Sequence, residues 1–377
     1  KSCQDGIIVS MKVALVHDWL TGYRGGEKVL EALCEMYPDA DIFTLVYKEG
    51  STSPTIESHT IKTSPLQYLP SAMTKYRYYL PLLPVFVEFL NVKNYDLVIS
   101  SSHAVAKNVR VSKGSTHISY IHTPMRYVWD MFDHYFGKFG SYSFPVRFAA
   151  HVFRPLLQKW DTYTAKRVNH FITNSDFVGH RVKSFYGRPY TVVYPPVDVD
   201  EFIPRSSVTK EDFYIIVSAL VPYKKVDLAV RAFLELDKKL VIVGEGPEKQ
   251  RLEKLSSGGN IEFTGFLPRG EMIEKLQKAK GFIYPQIEDF GITAIEAQAA
   301  GTPVLAYGVG GAVETVVDGE TGVYFSPQTP EGLVSAIKRF EDINFHPDTL
   351  TTHAKLFAKQ RFMNEIDSYV KNVLDTK

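Results

Sequence analysis

Glu288-Asp289-Phe290-Gly291-Ile292-Thr293-Ala294-Ile295-Glu296 continues as Ala297-Gln298-Ala299-Ala300-Gly301-Thr302-Pro303-Val304-Leu305. It reads as a loop, a helix opened by Gly291, a glycine stop at Gly301 and a buried strand. A helix followed by a buried strand is one period of a parallel α/β sheet. A helix starting at Gly291 aims unpartnered backbone amides at whatever lies before it. Glu288 in the loop and Glu296, eight residues on, flank that position. Amides for phosphate and carboxylates for hydroxyl groups suit a nucleotide diphosphate carrying a sugar.

Working outward, strand and helix patterns alternate from Met11 onward. Strands are predicted over 13–17, 41–46, 96–100, 117–122, 170–174 and 190–194, with a long helix over 144–167. Pro195-Pro196-Val197-Asp198 then stops regular structure and reads as a linker. A second set of strands is predicted over 213–218, 239–243, 261–263, 281–284 and 303–306, and the tail over 351–374 is helical. The expected class is α/β, with two Rossmann-like domains facing across a cleft. The first covers 11–196 and the second 197–350, and a C-terminal helix within 351–377 crosses back to the first. Ligands in such sheets bind beyond the carboxyl ends of the strands.

Composition narrows the partners. The 377 residues suffice for two domains, and 45% hydrophobic residues support real cores. A net charge of +1 offers no global basic surface for nucleic acid. The two cysteines, Cys3 and Cys34, cannot make a metal site alone; such low usage fits a reducing compartment, and Cys34 reads as a core residue. No signal peptide is evident, and Met11-Lys12 looks like a natural start after a ten-residue extension. No segment is apolar for long enough to span a bilayer. The basic and aromatic stretch over 75–90 suits either a membrane surface or a helical hairpin packed on its own domain.

The candidate ligand loops carry several signals. Gly25-Gly26 before the first helix lets backbone approach a phosphate or sugar, although the nicotinamide fingerprint is absent. His122 ends a strand beside a proline turn and can bond a sugar hydroxyl, and Arg126 can meet an anion. Lys224 and Lys225 stand where a helix begins, an unusual place for cations unless an anion binds there. Phe266 follows a strand and can wall a base.

These features, in order, resemble the family-4 retaining glycosyltransferases of the GT-B fold. The resemblance rests on Gly25-Gly26-Glu27, His122, Pro222-Tyr223-Lys224-Lys225-Val226-Asp227, and Glu288 to Glu296 with its Gly-Thr-Pro-Val sequel. The Pro-Tyr-Lys-Lys-Val-Asp stretch is most similar to bacterial mannosyltransferases of surface polysaccharide assembly. The resemblance implies that Glu296 holds the ribose and Glu288 lies beside the donor sugar. It places the amides of Phe290, Gly291 and Ile292 near sugar hydroxyls and diphosphate. Lys224 would neutralise the leaving diphosphate, His122 would bond the sugar, and Gly26 would admit the diphosphate. Where many relatives carry an arginine five residues before the lysine, this chain has Ala219, so Lys225 or Arg126 would have to compensate.

The expected reaction is metal-independent transfer of a sugar, mannose from GDP-mannose, with retention. No cofactor is expected beyond the nucleotide-sugar substrate. The expected acceptor is a glycan or lipid-linked oligosaccharide, with membrane-surface contact through 75–90 and a cytoplasmic or inner-membrane-face location. Two alternatives stand at this stage: a sugar-nucleotide epimerase of the same architecture and a non-catalytic nucleotide-binding subunit.

Overall fold

The structure is a computed structural model that describes residues 11–137, 144–204, 206 and 208–376. Cys3 and the extension ahead of Met11 lie outside the described residues. The chain divides into two compact units, Lys1–Val193 with Glu365–Lys377, and Tyr194–Asn364. Each is built on a sheet whose strands all pair in parallel.

The first unit contains β1 (Val13–His17), β2 (Asp41–Thr44), β3 (Ile61–Thr63), β4 (Leu97–Ser102), β5 (Thr116–Ile121), β6 (His170–Thr173) and β7 (Thr191–Val192). Their spatial order is β3-β2-β1-β4-β5-β6-β7. Strand order therefore reverses between β1 and β4, the point where open α/β sheets leave a crevice. β1, β4 and β5 are buried along their whole length, as expected of parallel strands covered on both faces. The helix Gly25–Met36 buries Val29, Leu30, Leu33 and Cys34. Burial pushes the Cys34 thiol up to about 12, which makes it an unreactive core group.

The second unit contains β8 (Tyr214–Val217), β9 (Leu240–Val243), β10 (Ile261–Gly265), β11 (Gly281–Tyr284), β12 (Val304–Tyr307) and β13 (Gly322–Phe325), ordered β10-β9-β8-β11-β12-β13. Its reversal lies between β8 and β11. Alternate residues of one strand enter opposite cores: Ile215 packs with Phe282, Ala297 and Phe357, whereas Tyr214 and Ile216 pack with Phe233, Leu333 and Ile337. Two-sided burial explains why these strands read as unbroken apolar runs.

Several elements differ from the sequence expectation: β3 and β13 were not predicted, and β7 is shorter than the strand expected over 190–194. The strand predicted over 96–100 runs on through Ser101 and Ser102; Ser100 bonds His117 and Ser119, and Ser101 meets His17 and His122. The stretch over 75–90 is not a regular hairpin. It forms short pieces, Ala72–Lys75, the 3-10 turn Tyr76–Leu82 and Leu83–Val87, since Pro81 and Pro84 lack the amides a longer helix needs. The tail is two helices, Pro347–Lys355 and Lys359–Asp375, and the second unit ends inside the latter.

Candidate active site

In the first unit, the carboxyl ends of β1, β4 and β5 gather a polar cluster at the strand-order reversal. The β1–β4 register sets His17 opposite Ser101. Ser101 Oγ lies 3.1 Å from His17 Nδ1 and 2.8 Å from His122 Nε2. His17 Nε2 faces Glu27 Oε1 at 3.8 Å, and Glu27 Oε2 accepts the Arg24 amide at 2.9 Å. Asp18, fully buried, accepts four backbone amides: His103 and Ala104 at 2.7 and 2.9 Å on one oxygen, Val105 and Ala106 at 2.6 and 2.7 Å on the other. His103 Nδ1 lies 3.3 Å from Asp18 Oδ2.

Electrostatics follow from that packing. Burial alone would raise the Asp18 carboxyl, but the charges of His103 and His17 and the amides outweigh it and hold it below the usual value. Burial likewise opposes ionisation of Glu27, yet contact with His17 brings its carboxyl down to about 2. His122 is driven down to about 3 by burial, with His103 and His17 adding to the effect. It is therefore a neutral imidazole near pH 7.

A hydroxyl donates one hydrogen, so Ser101 can serve only one of its two imidazole neighbours as donor. When His17 carries a single hydrogen, on the Nε2 that faces Glu27, its Nδ1 accepts from Ser101. The Ser101 oxygen then accepts from His122 Nε2–H, and we assign His122 Nδ1 as the lone-pair nitrogen. Such a nitrogen can accept a hydrogen bond from a substrate hydroxyl. Gly26 stands over the same pair. A Cβ there would meet His17 Cε1 at 3.5 Å and His122 Nε2 at 3.8 Å, so the glycine keeps the space beside these rings free of a side chain.

In the second unit, the loops after β8 and β11 meet at the other reversal. The Lys224 ammonium pairs with Glu288 Oε1, both side chains mostly buried. The Glu288 carbonyl accepts the Gly311 amide at 2.8 Å. Gly310 has φ +80°, and a Cβ on Gly311 would fall 2.4 Å from Phe290 Cα, so glycine is required to hold this loop in place. Gly291, at φ +99°, caps the helix Ile292–Ala299. A Cβ on it would lie 2.6 Å from the Tyr284 hydroxyl. The helix thus opens four residues after Glu288, and first-turn amides of a helix lack intrahelical partners. Glu296 is buried on that helix, and its charge reaches Arg269, which is bound to Glu201. Phe266, 79% exposed, follows β10. Among the described residues, no group of three or more His, Cys, Asp or Glu side chains forms a metal-binding set.

Two family models match in tandem. Glycosyltransferase Family 4 matches residues 23–201, and Glycosyl transferases group 1 matches 198–357. The chain belongs to the family-4 glycosyltransferases. Its fold is that of solved GT-B glycosyltransferases. The Anabaena protein HepE, solved with UDP, aligns at TM-score 0.68 and 17% identity over 97% of this chain and 100% of that one. Sucrose-phosphate synthase from Thermosynechococcus elongatus aligns at TM-score 0.69 and 17% identity over 97% and 100%. A GDP-mannose-dependent alpha-(1-6)-phosphatidylinositol monomannoside mannosyltransferase of Mycolicibacterium smegmatis is 32% identical over 38% of this chain and 44% of its own length. A Mycobacterium tuberculosis glycogen synthase is 32% identical over 34% and 31%. The chain thus spans less than half the length of these curated relatives.

In this family member the structure brings Lys224 to Glu288, with Gly291 and Ile292 following Glu288 in the same loop and helix start, and sets Gly26 beside His122. Gly25 is the first residue of its helix. Lys225 is exposed in a left-handed conformation (φ 53°) at the start of the helix Val226–Leu236. Phe290 offers its backbone to the loop while its ring stacks on Tyr194 in the core. Arg126 is half-buried beside Thr123 and Met131, and its charge reaches His103. Sequence reading assigned no role to His17, Asp18, Ser101 or His103. The signal was present in Leu97-Val98-Ile99-Ser100-Ser101-Ser102-His103, a buried strand turning polar at its carboxyl end. The loop after that strand went unconsidered, and it is the one beside the reversal.

Proposed function

We propose that this glycosyltransferase moves mannose from GDP-mannose to a lipid-linked oligosaccharide or related glycan, with retention at the anomeric carbon and without a metal ion. The observation that carries this reading is the Lys224–Glu288 pair before the Ile292–Ala299 helix terminus, at the strand-order reversal of the second sheet. In the reaction the bond from the anomeric carbon to the diphosphate oxygen breaks as the acceptor oxygen bonds to the same face. The acceptor's proton passes to the departing phosphate, and GDP leaves. Lys224 and the helix amides stabilise the charge that develops on the diphosphate. Glu296 takes the ribose hydroxyls, Phe266 stacks on the base, and His122 Nδ1 accepts a sugar hydroxyl.

The mannose and guanine assignments draw on the mannosyltransferase relatives and on the likeness of the Pro222 to Asp227 stretch. The lipid-linked acceptor draws on the 75–90 stretch, which exposes Tyr78, Leu82, Val85 and Phe89. No described helix is long and apolar enough to cross a membrane.

Thermal shifts with GDP, UDP and ADP test the base. A shift selective for GDP and lost in Glu296→Ala supports the reading; one selective for UDP replaces guanine with uracil. NMR of the product's anomeric proton, with and without EDTA, tests retention and metal independence. An inverted product or loss of turnover in EDTA would overturn those parts.

A further inference from the structure

The helix Phe144–Thr164 packs only one side into the first unit. Leu157 and Trp160 join the core cluster. Asp161 is buried, where it accepts from Lys107 Nζ at 2.5 Å, Trp129 Nε1 at 2.9 Å and the Tyr186 hydroxyl at 2.8 Å. The other side carries Phe144, Phe148, Val152 and Leu156, exposed by 75, 63, 58 and 63%. Their four-residue spacing confines them to an arc of about 120°. Single exposed apolar residues are ordinary, but a helical row of large ones is not.

The charges on this helix have one sign outside. Lys159 is exposed within the same arc, and Lys166 follows it just beyond the helix end. The helix's single acidic residue, Asp161, is the buried one. The whole chain carries only +1, so this excess is local. The surface also extends beyond the helix. The Leu83–Val87 segment, which exposes Val85, packs on the same core cluster through Leu83 and Val87. Arg167, just past the long helix, pairs with Glu88 at 2.7 Å and ties the two elements.

We propose that Phe144–Thr164 is an interfacial anchor that lies flat on an anionic lipid bilayer, its phenylalanine and leucine row among the acyl chains and Lys159 and Lys166 at the headgroups. Rows of large apolar residues interleaved with lysine are the chemistry of helices that rest in that interface. A second copy of the chain fits less well, since a two-fold contact through this face would bring the same lysines together. The anchor rests on the lipid-linked acceptor reading for its purpose: it would hold the first unit at the surface where such an acceptor resides.

The test uses the full chain and sedimentation with vesicles of phosphatidylcholine alone or with about one-third phosphatidylglycerol, without sugar donor. The wild type is expected to sediment with the anionic vesicles, less so at high salt. The pair Phe148→Ser, Leu156→Ser and the pair Lys159→Glu, Lys166→Glu should each reduce binding about tenfold or more. All four side chains are exposed, so circular dichroism and melting should stay as wild type. Failure of the wild type to bind, or wild-type binding by both paired variants, overturns the anchor. A dimer in ultracentrifugation that the serine pair dissolves, without any vesicle binding, would give the face to a second copy and also overturn it. Binding needs no transfer, so a failed anchor with lipid-linked transfer intact is distinguishable from a working anchor on a protein that uses another acceptor.

Discussion

The Ser101 hydroxyl lies 2.8 Å from His122 Nε2. It joins that histidine by hydrogen bonding to His17 in a chain of contacts that ends at Glu27. Ser101→Ala should therefore leave two buried ring nitrogens facing a methyl group. The expected stability loss is about 1–3 kcal/mol in urea unfolding. Turnover should fall more than donor affinity, because His122 loses the contact that sets its tautomer. Unchanged kcat would separate the histidine pair from the chemistry.

Acid should weaken the first unit. The folded His122 titrates at about 3 and His117 at about 4, both below the unfolded value of 6.5. Between those limits the unfolded chain binds more protons, so stability falls as pH drops from 6.5 toward 3. Glu27, at about 2 against 4.5, adds a further loss below pH 4.5. Melting temperatures across pH 7 to 4 check this. His117→Asn, away from the polar cluster, should flatten the curve between 6.5 and 4.

Gly26→Ala should fold. The new methyl group meets the His17 and His122 rings at 3.5 and 3.8 Å, ordinary contact, and alanine favours the helix by about 0.5–1 kcal/mol. It would also fill the space beside the half-buried His122. Equal or higher melting temperature with a fall in kcat/KM is the expected pair of results. A variant as active as wild type would show that nothing needs to reach those rings.

Lys224→Met removes the partner of Glu288 and the cation assigned to the leaving diphosphate. We expect kcat to fall roughly 10²–10³-fold with a smaller change in KM. Glu296→Ala should do the reverse, raising the donor's KM. Steady-state kinetics on both variants check the assignment, and the same profile in each would collapse the two roles into one.

Asp18→Asn keeps shape and removes charge. Its amide nitrogen would confront two backbone N–H groups that now bond a carboxylate oxygen. The expected loss is about 3 kcal/mol or more in chemical denaturation. A loss under about 1 kcal/mol would mean the loop re-forms around the amide.

Much of the second unit's candidate site was legible because its signals are local. Glu288, Gly291 and Glu296 sit within one turn-and-helix, where the chain alone fixes spacing and the direction of the free amides. The unbroken apolar runs announced parallel strands for a similar reason, since burial on both faces leaves its mark residue by residue. The first unit's cluster was not legible. His122 was found by its position at a strand end, but its partners His17 and Ser101 lie far away in sequence, and the serines looked like the end of a strand.

The sequence by itself determined the alternation of strands and helices, the glycines where backbones must approach, and the carboxylates and lysine of the second unit. Only the tertiary structure decided that His17, Ser101 and His122 are neighbours and that Lys224 meets Glu288. Adjacent strands lie about 4.8 Å apart whatever their separation along the chain. Which strands become adjacent, and in which register, is set by how whole apolar faces pack. In both sheets the strand order reverses, and there the crossovers leave the carboxyl ends open, so polar groups from distant segments share one place.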